Sequence, residues 1–168
     1  MKEAVHTKIV SLQNRELLRD GVYLVVLHAD KIPPHIGFLH DGKFFSQKAN
    51  GKDVGLNVSR LISVIDAKRI PVLFYALNGS LPENAVAIFE VLPSKIEKGK
   101  TCLDPICEVL AKGKRFAIVA ELIEYLEEKE LINSCYGLHL PVDFESLPNY
   151  SRVDVRHRIA YLTNDKRR

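Results

Sequence analysis

A chain of 168 residues, 46% hydrophobic and 27% charged, can enclose a hydrophobic core and is too apolar to stay disordered. Its three cysteines are too few and odd in number for a disulfide framework, and its net charge of +3 is modest. The polar start Met1–His6 lacks a secretory signal and no run of side chains is apolar for long enough to span a membrane, so the expectation is one cytoplasmic domain over residues 1–168 with reduced thiols.

In chain order, Val5–Leu12 has an incomplete period-two pattern and reads as a first strand. Gly21–Ala29, led in by Arg19-Asp20-Gly21 and rich in β-branched residues, reads as a buried central strand. Pro33-Pro34 breaks the chain. His35–Leu39 and Lys43–Ser46 then flank His40-Asp41-Gly42, where Asp-Gly signals a tight hairpin turn. Ile70–Leu77 and Ala85–Leu92 read as two further strands, which makes 4–92 the sheet-rich part.

Residues 101–132 change character. A short helix is predicted over Cys102–Ala111, with Thr101 as its cap and Asp104 completing a variant capping box. A second is predicted where Phe116, Val119, Leu122, Ile123 and Leu126 recur at helical spacing, its glutamates forming a solvated face. The last part, 145–168, reads as an irregular basic segment: from Tyr150 to Arg168 there are six Arg or Lys against two Asp. These elements give an α+β fold in which a mostly antiparallel sheet packs against one or two helices.

Among chemistry-bearing residues, His35 at a strand start and Cys102 at a helix start stand out. A thiol becomes nucleophilic beside a base or at a helix N-terminus, and a strand histidine can accept its proton. The alternative is that both are structural, since free cysteine is among the most buried residues. Cys107 points away from Cys102 on one helix and reads as a core thiol, and Cys135 reads as a loop or short-strand thiol with no cation near it. His28, His35 and His40 have no recognised metal-ligand spacing, and no glycine-rich phosphate loop is present, so neither a metal nor a nucleotide cofactor is read.

The segment Pro34-His35-Ile36-Gly37-Phe38-Leu39-His40-Asp41-Gly42-Lys43-Phe44-Phe45 resembles the P-H-[VI]-G-I-hydrophobic-x-x-[DN]-G-K-hydrophobic hairpin of permuted papain-like proteins, a group that includes NlpC-type peptidases and lecithin retinol acyltransferase-like enzymes. Leu18–Leu24 is similar to the entry into the preceding family strand, with Gly and Asp reversed, and Leu140–Phe144 to a segment near the family's C-terminus. The resemblance covers about half the chain and implies a papain-like fold and a cysteine hydrolase or acyltransferase acting on an amide, ester or thioester. It also implies roles: Cys102 as nucleophile, His35 as base and then acid, and Ser46 at the position that orients the imidazole.

A second register stays open, because Val119-Ala120-Glu121-Leu122-Ile123 matches the family's C-S-E-L-V helix start in pattern. An alkyl group cannot serve as nucleophile, so in that register the chain is a non-catalytic binding domain of the same fold. A third expectation, disfavoured, is nucleic-acid association through the basic C-terminal segment. The substrate, whether small molecule, peptide or lipid, and the oligomeric state are not legible.

Overall fold

Val22–Leu27 (β2) offers no charged side chain to solvent, and all six of its residues are buried. Such a strand must be covered on both faces and paired on both edges. In the computed structural model, which describes residues 6–164, it is. His35–His40 (β3) pairs with β2 antiparallel on one side and Val72–Leu77 (β6) on the other. Lys43–Lys48 (β4) and Gly51–Asn57 (β5) extend the sheet beyond β3. Ile132–Leu138 (β7) extends it beyond β6, and Ile9–Ser11 (β1) adds a parallel edge strand. With β1 included, the sheet has seven strands in the order β1-β7-β6-β2-β3-β4-β5. The fold is α+β with a mostly antiparallel sheet.

The β3–β4 turn is the two-residue type expected from Asp-Gly. Asp41 and Gly42 both have positive φ, 45° and 75°, and His40 pairs directly with Lys43. Asp41 exchanges hydrogen bonds with Gly21, accepting its N–H at 3.1 Å and donating its own to the Gly21 carbonyl at 3.0 Å. The turn is thereby fixed to the start of β2.

Helices cover both faces of the sheet rather than one. On one side lies Val58–Lys68 (α1), whose Val58, Leu61, Ile62 and Ile65 pack on Val25, Leu39, Phe44 and Phe74. On the other lie Ala85–Val91 (α2), Leu103–Leu110 (α3) and Val119–Glu128 (α4), packed on Leu24, Val26, Phe38 and Leu73. Phe38 and Phe45 stack at 4.8 Å, and Phe89 of α2 meets Phe38 edge-on at 5.3 Å.

Four expectations need correction. Ala85–Leu92 is not a strand but holds helix α2, because burial falls on Ala85 and Phe89, four apart, while Val91 faces solvent. Its β-branched residues favoured a strand, and packing against the aromatic cluster overrides that preference. The 145–168 segment is not irregular throughout: Arg152–Asn164 is a helix (α5), capped where Ser151 and Asp154 exchange hydrogen bonds. The first strand is limited to Ile9–Ser11, and Val5 lies outside the described residues. The glutamate face of α4 is not wholly solvated, since Glu127 accepts the Thr7 N–H at 2.8 Å and ties the helix to the chain before β1.

Candidate functional site

Pairing places His35 opposite Leu27 at the end of β3, just after the proline break. Alternation along β3 sends Ile36 and Phe38 into the α2–α4 layer, so the imidazole projects from the other side of the strand. Gly37 is required at the next position on that side. A Cβ there would lie 2.5 Å from the Phe44 ring and 2.7 Å from the Phe45 carbonyl oxygen. The ring of Phe44 therefore fills the space beside the histidine.

His35 Nε2 lies 3.0 Å from Ser46 Oγ, and Ser46 Oγ donates to Asp53 Oδ2 at 3.1 Å. Ser46 is fully buried, and β4–β5 pairing sets it directly opposite Asp53. Lys48 Nζ completes the chain, 3.0 Å from the same carboxylate oxygen. A serine hydroxyl has one proton. With that proton on Asp53, Ser46 can only accept from the ring, so the His35 proton is on Nε2 and Nδ1 keeps its lone pair. Burial, then Lys48, push the His35 pKa down to about 4, with Asp53 opposing. The imidazole is neutral at neutral pH, the form a general base needs.

Cys102 sits where α3 begins. The capping exchange expected from the sequence is present: Thr101 Oγ1 accepts the Leu103 N–H at 3.2 Å and Asp104 Oδ2 accepts the Thr101 N–H at 2.7 Å. The residue is partly exposed at the cleft. Burial pushes its thiol up to about 11, although the Ile36 and Cys102 backbone amides favour the thiolate. The resting state is thus neutral thiol and neutral imidazole, not an ion pair.

His35 and Cys102 line one cleft of about 730 Å³ at the end of β3, with Ser46 behind the imidazole. A hydrogen bond joins His35 to Ser46, and none joins Cys102 to His35. Leu56, Leu61 and Ile65 make an apolar floor. Helix α5 forms the roof through Val155, Ile159 and Leu162, held by Asn50 Nδ2 donating to the Leu162 carbonyl at 3.1 Å. Lys31, Lys48 and Arg158 bring positive charge to the same walls.

The other sequence candidates lie elsewhere. Val119 opens α4 fully buried, its N–H bonded to the Tyr150 hydroxyl at 2.9 Å, and does not line this cleft. Cys107 and Cys135 are buried, with pKa values pushed up to about 11 and about 12, chiefly by burial. Cys135 lies within β7, the short-strand alternative of the two expected. His28 lines the cleft, whereas His40 faces Asp41 at 3.3 Å at the far end of β3. Among the described residues, no group of three His, Cys, Asp or Glu side chains is arranged to hold a metal ion, and no helix is long and apolar enough to cross a membrane.

Asp53 is the site residue that sequence reasoning missed. Its signal is the two-residue turn Ala49-Asn50 before Gly51, which folds β5 back on β4 and brings position 53 opposite position 46.

The chain matches no protein-family model, no curated protein and no solved structure.

Proposed function

We propose that the protein is a cysteine-dependent hydrolase or acyltransferase of papain-like type, acting on an amide, ester or thioester. The observation that carries this reading is the chain Asp53–Ser46–His35, which leaves Nδ1 unprotonated on an imidazole that lines the same cleft as Cys102. Cys102 Sγ attacks the substrate carbonyl carbon as His35 Nδ1 takes the thiol proton. The proton then passes to the departing amine, alkoxide or thiolate, leaving an acyl thioester on Cys102. Water or another acceptor, deprotonated by His35, attacks that thioester and restores the thiol. Burial holds both groups neutral at rest, so this transfer starts from a thiol and a free imidazole rather than from a preformed ion pair.

The second reading is a non-catalytic binding domain that uses the same apolar cleft, and the thiol pushed up to about 11 favours it. Turnover of a panel of activated esters, thioesters and amides decides between them. The catalytic reading expects turnover that falls at least about 10²-fold in Cys102→Ala and in His35→Ala. Ligand binding without turnover, equal in wild type and Cys102→Ala, supports the binding domain.

A further inference from the structure

On the other side of α5 lies a second cleft of about 740 Å³, where that helix meets the segment 96–101 and the turn 115–117. Lys98, Lys100, Arg115, Arg152 and Arg156 line it, against only two carboxylates, Glu97 and Asp104. Both carboxylates are engaged: Glu97 pairs with Lys100 at 3.6 Å, and Asp104 accepts the Thr101 N–H at 2.7 Å. Among the described residues, Lys98, Arg115, Arg152 and Arg156 have no carboxylate partner.

Four unpaired cations around one concavity repel one another and focus positive potential into it. Arg152 and Arg156 are four residues apart, so they lie on one side of α5, and Ala160 and Thr163 continue that lining. Three of the four are arginines, whose planar forks bind oxyanions with two parallel hydrogen bonds. The acyl-transfer scheme above uses none of these residues.

We propose that this cleft binds a compact, multiply charged oxyanion of the phosphate or polyphosphate class. Bound there, the anion bridges α5 to the segment that leads into α3. The two clefts share Ile96 and Ile159, and Thr101 of this cleft precedes Cys102 of the other. An occupied anion site therefore holds the roof of the thiol cleft in place.

The test is calorimetric titration of the full chain with inorganic pyrophosphate at physiological ionic strength, with hydrogen exchange of α5 followed in parallel. The expected result is saturable binding of one anion per chain and slower exchange in α5. Binding weakens at least about tenfold in Arg152→Gln/Arg156→Gln and in Arg115→Gln, because each removes a charge-assisted pair. It is unchanged in Lys43→Gln/Arg60→Gln, which removes two charges, as Arg152→Gln/Arg156→Gln does, at exposed residues that do not line the cleft. Cys102→Ser also binds normally, so failure of the acyl-transfer reading and failure of the anion site remain distinguishable. No saturation, equal weakening in Lys43→Gln/Arg60→Gln, or affinity only for long single-stranded oligonucleotides with steep salt dependence would overturn the proposal.

Discussion

The Ser46 hydroxyl donates to the Asp53 carboxylate across 3.1 Å, and this one bond dictates the protonation of the imidazole next to it. Because Ser46 has no second proton, His35 must donate from Nε2, 3.0 Å away, and present Nδ1 as an acceptor. Serine alone is a weak orienter. Backed by a carboxylate that Lys48 also holds, it becomes a directional one.

Removing the carboxylate should reverse that direction. In Asp53→Ala the Ser46 proton is free to turn toward His35 Nε2, which favours the Nδ1-protonated tautomer. On the proposed mechanism kcat falls by about 10²-fold with little change in KM. Ring nitrogen chemical shifts of His35 should report the tautomer change directly, and unchanged shifts would remove Asp53 from the positioning role.

The buried imidazole makes stability depend on pH. The His35 pKa is about 4 in the folded chain and near 6.5 when unfolded, so the unfolded state binds the extra proton first as pH falls. The stabilising preference for neutral histidine is complete above about pH 6.5 and is lost progressively down to about pH 4. Its full extent is roughly 3 kcal/mol. Denaturant titrations of wild type and His35→Gln across this window should differ in slope, with the variant the flatter.

Gly37 tests the packing beside the site. Gly37→Ala drives a methyl group into the Phe44 ring and the Phe45 carbonyl, contacts that cannot both yield because Phe44 is itself buried. Overpacking of this kind costs about 1–3 kcal/mol, and thermal unfolding should show a corresponding loss. A neutral substitution would mean that β3 and β4 can separate locally.

The roof can be displaced without touching the reacting groups. Val155 is the buried residue of α5, and Val155→Asp places an unpaired carboxylate against the apolar cleft. Moving α5 outward hydrates Cys102, whose pKa then falls from about 11, and alkylation by iodoacetamide at neutral pH should quicken. Cys107 and Cys135, buried in the core, should keep their slow rates. An unaltered Cys102 rate in a folded variant would show that α5 does not control access.

The sequence was most legible where one local rule decided the outcome. Asp41-Gly42 specified its hairpin, the unbroken apolar run of β2 specified a central strand, and Thr101 with Asp104 marked the start of α3. It was least legible where distant packing decided. Residues 85–91 read as strand until their place against Phe38 and Phe45 is known. The Val58, Leu61, Ile62, Ile65 spacing after Asn57 is itself a helix signal, as is Ser151 three residues before Asp154. His35 and Ser46 were identifiable from one hairpin, whereas Asp53 enters only through the register of β5, and the roof only through the docking of α5.

Intact-mass measurement of the full chain mixed with an activated acyl thioester tests the proposed chemistry most directly. A transient acyl group is expected on Cys102, absent in Cys102→Ser and greatly slowed in His35→Gln. Acylation spread equally over Cys102, Cys107 and Cys135, or none at all while the ester still binds in the cleft, would contradict it.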